Sequence, residues 1–122
     1  MVPPPTILIC EDEEPLRELI RAALGNGYRY LETADGTEAI ELARTEAPDL
    51  VVLDVMMPGT SGLEVLAALR EGTGTGTIPV VVLTAWTHAQ QEALEAGAQR
   101  FLSKPFDPDE LQAIVDELLQ GR

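Results

Sequence analysis

The chain contains 122 residues, of which 21 are acidic, 8 are basic and 45% are hydrophobic, so that its net charge is −13. This length is typical of one domain, and it buries enough apolar surface to fold without a disulfide or a structural metal. A surface this acidic repels phosphate backbones, so we expect no direct contact with nucleic acid. We also expect no membrane partner, because no segment approaches the roughly 18 consecutive apolar residues of a membrane span. The single cysteine, Cys10, fits a reducing, cytoplasmic location.

Apolar and amphipathic segments alternate five times along the chain, after a proline-rich arm at residues 1–5. The apolar segments predict five strands, at Thr6–Cys10, Tyr28–Thr33, Leu50–Leu53, Pro79–Leu83 and Arg100–Ser103. The segments between and after them predict helices, which begin at Pro15, at Thr37, at Ser61 or Gly62, at His88 and just after Asp107. This alternation is typical of an α/β domain that has a parallel sheet with helices on both faces. We therefore predict a single domain over residues 1–122.

Two of the predicted helices carry more specific expectations. The apolar residues of the first helix recur at helical spacing and predict one buried face, formed by Leu16, Leu19, Ile20, Ala23 and Leu24. The fourth helix is predicted to be short, over His88–Ala96, because Gly97 follows it.

Polar side chains follow four of the five predicted strands, at the point where each strand ends. Glu11 and Asp12 follow the first strand, Asp54 follows the third, and Thr84 and Lys104 follow the fourth and the fifth. In an open parallel sheet, ligands bind beyond the carboxyl ends of the strands. We therefore expect three carboxylates, a hydroxyl and an ammonium group to share one edge of the sheet.

Three carboxylates at one edge require a compensating positive charge. Two carboxylates about 4 Å apart repel each other by about 4 kcal/mol at an effective dielectric constant near 20. Lys104 would offset one charge, and a divalent cation would offset the rest. Oxygen ligands without a nearby His or Cys favour Mg²⁺ over zinc. Because Mg²⁺ commonly bridges carboxylate and phosphate groups, such a site would suit phosphoryl transfer.

Each of these residues also has a purely structural interpretation when it is taken alone. Asp12 could cap the first helix, Asp54 could cap a turn, and Lys104 could be a solvated surface lysine. Thr84 could bond the backbone of its own loop. These interpretations are weaker for the set than for its members, because four strands would each have to bring such a group to one edge by chance.

The set formed by Glu11-Asp12, Asp54, Thr84-Ala85 and Lys104-Pro105 resembles the active site of response-regulator receiver domains, in the same order and on the corresponding strands. The resemblance runs from about Ile7 to Leu119 and includes the segment 52–59 with the later Gly62. It implies the doubly wound, flavodoxin-like (βα)5 fold, in which five parallel strands take the order 2-1-3-4-5. It also implies a switch in two-component or phosphorelay signalling.

The resemblance further implies a role for each residue of the set. Asp54 would accept a phosphoryl group from the phosphohistidine of a sensor histidine kinase or from a phosphotransfer protein. Mg²⁺ would bind to Glu11, Asp12, Asp54 and the backbone carbonyl of Met56. Lys104 and the Thr84 hydroxyl would contact the phosphoryl oxygens, beside the backbone of Met56 and of the small Ala85.

Phosphorylation is then expected to change the surface that the fourth helix, the fifth strand and the fifth helix form. Thr84 would move toward the phosphoryl group, and Phe101, which stands where the family has its switching aromatic residue, would fill the vacated space. An attached output domain, a separate effector protein or a second copy of the chain would read that surface. The protein would be a signalling switch, not an enzyme, and would catalyse only its own phosphorylation and dephosphorylation.

Three other interpretations fit parts of the sequence. A degenerate receiver domain would keep the fold and bind partners without being phosphorylated. A phosphohydrolase of the haloacid dehalogenase type also uses an aspartate after a strand, but it carries a second acid where this chain has Met56. A flavin-binding, flavodoxin-like protein would carry a loop rich in Ser and Thr after the first strand, where this chain has four acidic residues.

Overall fold

Five parallel strands form one sheet in the computed structural model of the chain, which describes residues 2–120. The strands are β1 (Thr6–Cys10), β2 (Arg29–Thr33), β3 (Leu50–Leu53), β4 (Val80–Thr84) and β5 (Arg100–Ser103). Their order across the sheet is β2-β1-β3-β4-β5, and every neighbouring pair is parallel. The predicted (βα)5 architecture with strand order 2-1-3-4-5 is confirmed. The predicted domain of residues 1–122 and its arm of residues 1–5 include Met1, Gly121 and Arg122, which lie outside the described residues.

Five helices connect and follow the strands. They are α1 (Glu14–Leu24), α2 (Gly36–Glu46), α3 (Gly62–Glu71), α4 (Gln90–Glu95) and α5 (Pro108–Gln120). Ser61 caps α3 in a capping box with Glu64, in which each side chain bonds the other residue's backbone amide. None of the helices over residues 2–120 combines the length and the hydropathy that crossing a membrane requires.

The fourth helix is shorter than its predicted range of His88–Ala96. Only Gln90–Glu95 is α-helical, and a 3₁₀ turn at Thr87–Ala89 precedes it. The two segments face the sheet through the small residues Ala89 and Ala93, both of which are fully buried. The tighter 3₁₀ turn therefore makes the connection from β4 to α4 over a very short distance.

Two hydrophobic clusters cover the two faces of the sheet. Helices α2, α3 and α4 pack on one face with residues that include Ala39, Val65 and Leu66. Helices α1 and α5 pack on the other face with residues that include Ile20 and Leu111. Burial of a Val, Leu or Ile side chain contributes about 1.5–3 kcal/mol. Because strands β1, β3 and β4 are covered on both sides, the first polar positions available to them lie just beyond their ends.

The predicted buried face of α1 is wrong at one position. Ile20 and Leu24 are buried as expected, but 56% of the surface of Leu19 is exposed. Leu19 lines a groove together with Leu16, Pro105 and Phe106, so this part of the helix face is only partly covered.

Gly62 allows the loop after β3 to return close to its own backbone. A Cβ atom at Gly62 would lie 2.3 Å from the Cα atom of Val55 and 2.6 Å from the carbonyl oxygen of Asp54. The Gly62 amide also donates to the carbonyl of Val55 at 3.2 Å. The loop that follows Asp54 therefore depends on a residue without a side chain.

We predict that Gly62→Ala destabilises the protein by about 1–3 kcal/mol, which is the usual cost of adding a methyl group where there is no space. Helix propensity alone would favour the alanine, so a loss of stability isolates the steric effect. Gly27→Ala is the matched control, because no heavy atom lies within 4 Å of its added Cβ. Urea unfolding measures both variants, and equal stability of the two would contradict the prediction.

Candidate active site

The carboxyl ends of four strands bring the predicted polar residues together at one edge of the sheet. Glu11 follows β1, Asp54 follows β3, and Thr84 ends β4, and these three residues are 2%, 4% and 0% exposed. Lys104 follows β5, and its amide donates to the carbonyl of Thr84 at 2.9 Å. The convergence that we expected from the strand ends is therefore present in the folded chain.

Lys104 joins two of the carboxylates. Its Nζ atom lies 2.6 Å from Oε1 of Glu11 and 2.7 Å from Oδ2 of Asp54. Only 14% of the Lys104 side chain is exposed, so these ion pairs are largely shielded from water. Hydrogen bonds from an ammonium group to a carboxylate, such as these two, are short and strong.

The carboxylate of Asp54 is held at both oxygens. Oδ2 accepts from Lys104, and Oδ1 accepts from the backbone amide of Met56 at 2.9 Å. Burial raises the pKa of this carboxyl, but Lys104, the Met56 amide and the Thr84 hydroxyl outweigh it and lower the pKa below its ordinary value. Asp54 is therefore ionised and oriented near neutral pH, as a nucleophilic carboxylate must be.

The pKa values of Glu11 and Lys104 are both raised, for different reasons. Burial raises the pKa of the Glu11 carboxyl to about 7, although its bonds to Lys104 and to the amide of Glu13 act in the opposite direction. Burial lowers the pKa of Lys104, but Asp54 and Glu11 more than compensate, so its pKa is raised. Glu11 therefore gains and loses its proton close to neutral pH, while Lys104 keeps its positive charge.

The acidic residues fit a divalent cation. One carboxylate oxygen from each of Glu11, Asp12 and Asp54 can be chosen so that all three lie within 4.8 Å of one another. Asp12 is exposed while the other two are buried, so the group opens to solvent on one side. Three hard oxygen donors with an open side suit Mg²⁺, which keeps several of its waters.

Thr84 and Phe101 lie on the same face of the sheet. Val82 is the register partner of Phe101 and stands two residues before Thr84, so the side chains of all three point to one side. Thr84 is buried and accepts from the Trp86 amide at 3.2 Å, whereas Phe101 is half-buried. Phe101 packs against the cluster beneath α4, further from the acidic edge than Thr84.

The remaining predicted residues are exposed, and one contributor was missed. Ala85 and Met56 both lie at the surface of the edge, and 57% of Met56 is exposed. Arg17 was not predicted, yet its Nη1 atom donates to the backbone carbonyl of Glu11 at 2.7 Å. No sequence signal would have identified it, because an arginine on an amphipathic helix is usually solvated.

Comparison with known proteins connects this geometry to a family. The family model described as the response regulator receiver domain matches residues 7–116. The chain belongs to that family. Receiver domains are signalling switches of two-component systems, so the protein has a regulatory role.

Relatives of the receiver domain are mostly longer than this chain. The phosphate regulon transcriptional regulatory protein PhoB of Pseudomonas aeruginosa is 41% identical over 118 residues, which are 94% of this chain and 52% of PhoB. A histidine kinase of Formosa agariphila is 39% identical over 119 residues, which are 96% of this chain and 9% of the kinase. The chain therefore spans about half the length of the first relative and a small part of the second.

A solved structure supports both the fold and the acidic edge. The receiver domain of a sensor histidine kinase from Pseudomonas aeruginosa is 27% identical and superimposes with a TM-score of 0.84, covering 96% of this chain and 98% of that one. In that structure a magnesium ion is coordinated in the active site cleft.

Lys104 is the only lysine in the sequence, so its side-chain nitrogen gives a single resonance in nitrogen-15 spectra. We predict that this group in the metal-free protein titrates above its ordinary pKa of 10.5. The contribution of the ion pairs to stability is then largest between the Glu11 pKa of about 7 and pH 10.5, and it is lost as the pH rises through the folded-state pKa of Lys104.

Asp54→Asn removes one of the two carboxylates, so we expect it to lower the pKa of Lys104. Asp109→Asn is the matched control, because Asp109 lies on the exposed first turn of α5. A wild-type titration midpoint at or below 10.5 would contradict the ion-pair geometry.

Proposed function

We propose that Asp54 accepts a phosphoryl group from the phosphohistidine of a sensor histidine kinase or of a phosphotransfer protein. The observation that carries this proposal is the Asp54 carboxylate, which is buried, ionised and held by Lys104 and by the Met56 amide. In the reaction a carboxylate oxygen attacks phosphorus, an acyl phosphate bond forms, and the bond from phosphorus to the histidine nitrogen breaks. The histidine nitrogen leaves with the electron pair of that bond.

The residues of the edge would serve this transfer by positioning and by neutralising charge. Lys104 already contacts Asp54 and would pair with an oxygen of the arriving phosphoryl group. The Thr84 hydroxyl would bond a second oxygen, beside the backbone of Met56 and Ala85. The small, exposed Ala85 leaves room for the group.

We propose Mg²⁺ as the cofactor, held by Glu11, Asp12, Asp54 and the carbonyl of Met56. The proximity of three carboxylate oxygens supports this proposal, and so does the magnesium ion in the related receiver domain of the Pseudomonas aeruginosa kinase. When bound, Mg²⁺ supplies positive charge to the oxygens of the transferring group.

We further propose that residues 1–122 act as one receiver unit in the cytoplasm, with residues 1–5 as an arm. The unit would signal to an output domain, to an effector protein or to a second copy of itself. The net charge of −13 argues against contact with nucleic acid by this domain itself. The unit would catalyse only its own phosphorylation and dephosphorylation.

Phosphorylation would be read on the surface formed by α4, β5 and α5. Thr84 is buried directly beside Asp54, and Phe101 is half-buried on the same sheet face. A Thr84 hydroxyl that moves toward a phosphoryl oxygen would leave a gap that Phe101 can fill by rotating inward. The Asp54 charge would thereby be linked to a surface that it does not touch.

We predict that beryllofluoride with Mg²⁺, which mimics a phosphoryl group, moves both the Thr84 hydroxyl and the Phe101 ring. A crystal structure of that complex, compared with the metal-free protein, measures both movements. Binding of beryllofluoride at Asp54 while Thr84 and Phe101 keep their positions would refute the proposed link.

Acetyl phosphate and Mg²⁺ provide the direct test of Asp54. We expect the intact mass of the wild-type protein to rise by one phosphoryl group, and Asp54→Asn to abolish the gain. The exposed Asp109→Asn variant is expected to gain mass like the wild type. No gain in the wild type would instead favour a degenerate receiver domain that binds its partners without phosphorylation.

A further inference from the structure

Every polar group of Glu11 is held in place. Its amide donates to the carbonyl of Thr33 on β2 at 3.0 Å. Its carboxylate accepts from Lys104 and from the amide of Glu13. Its carbonyl accepts from Nη1 of Arg17 at 2.7 Å, and this is the one contact that comes from a helix side chain.

The carbonyl that Arg17 holds belongs to the peptide group between Glu11 and Asp12. The plane of this peptide determines where Asp12 leaves the backbone. Asp12 is exposed, so burial does not constrain its side chain in the way that it constrains Glu11. The orientation of Asp12 toward Asp54 therefore depends on the backbone before it.

Glu32 on β2 orients Arg17. The Nε atom of Arg17 donates to Oε1 of Glu32 at 3.1 Å, and Arg21 donates to the same oxygen. Arg17 is 17% exposed and Arg21 is 33% exposed. The two arginines thus share one carboxylate and one helix, but only Arg17 also reaches Glu11.

We propose that Arg17 is a positioning residue for the cation site, acting through the peptide group of Glu11 and Asp12. The inference rests on the proposed function, because it concerns the Mg²⁺ that Asp54 requires for phosphorylation. Arg17 would hold this peptide group in a fixed orientation, because its planar guanidinium group donates to the Glu11 carbonyl and to the Glu32 carboxylate at the same time.

Charge and geometry make opposite predictions for the loss of Arg17. Removing a positive charge near a cation site strengthens cation binding, whereas loosening Asp12 weakens it. Arg17→Met removes both the charge and the bond to Glu11. Arg21→Met removes a positive charge that also pairs with Glu32, but it leaves the bond from Arg17 to the Glu11 carbonyl in place. It is therefore the matched control.

Isothermal titration of the metal-free proteins with Mg²⁺ tests the inference. We expect Arg17→Met to raise the Kd about tenfold or more, the usual effect of losing a residue that orients a metal ligand. We expect Arg21→Met to leave the Kd unchanged or to lower it. Arg17→Lys keeps the charge but replaces the planar guanidinium, which reaches both acceptors from two nitrogens, with one compact ammonium group. We therefore expect it to weaken Mg²⁺ binding as well.

Amide spectra give a second readout that does not depend on activity. The Glu13 amide bonds the Glu11 carboxylate, and the Met56 amide bonds the Asp54 carboxylate. In Arg17→Met we expect the metal-free resonances of Asp12 and Glu13 to move while that of Met56 stays. In Arg21→Met all three should stay.

The outcomes separate this inference from the proposed function. Wild-type protein that binds no Mg²⁺ would overturn the proposed cofactor, and the role of Arg17 with it. Wild-type protein that binds Mg²⁺ while Arg17→Met binds it equally tightly would overturn the role of Arg17 alone. An equal loss of affinity in Arg21→Met would also overturn it, because that loss would follow from Glu32 and not from the Glu11 carbonyl.

Discussion

The ion pair of Lys104 with Glu11 and Asp54 is the interaction on which the rest of the site depends. Two carboxylates buried side by side without a cation would repel each other and would bind protons. Lys104 keeps Asp54 ionised, because its Nζ atom contacts both acids at 2.6–2.7 Å. The same charge suits phosphoryl transfer, which also requires that negative oxygen atoms be neutralised. In the proposed function, one contact would therefore serve both stability and chemistry.

The ion pair exists because the sheet is parallel and its strands are covered on both faces. Strand β4 lies between β3 and β5, so the side chain of Lys104 must pass the end of β4 to reach Asp54. Thr84 stands at that end, and its carbonyl accepts a hydrogen bond from the backbone amide of Lys104. The strand order therefore places the end of β4, with Thr84, between the ends of β3 and β5.

The prediction from sequence was most reliable where one local pattern decides the structure. Apolar runs such as Leu50–Leu53 predicted the strands closely, because a strand buried on both faces tolerates no polar residue. The first helix was predicted correctly, but the exposure of Leu19 was not. Helical spacing shows which residues share a face, whereas the packing of α1 against α5 decides how far that face is covered. Helix α4 likewise packs against β5, and the start of its predicted range is a 3₁₀ turn.

The sequence by itself determined that acids, a hydroxyl and a lysine follow the strands, and therefore that they share one edge. Only the tertiary structure decided which atoms meet there. The bond from Lys104 to Glu11 joins residues 93 positions apart, and its geometry depends on the packing of the whole sheet. The bond from Arg17 to the Glu11 carbonyl is closer in sequence but equally hidden, because its acceptor is a backbone atom. Residue types specify side-chain chemistry, while the direction of a backbone carbonyl is set by the fold.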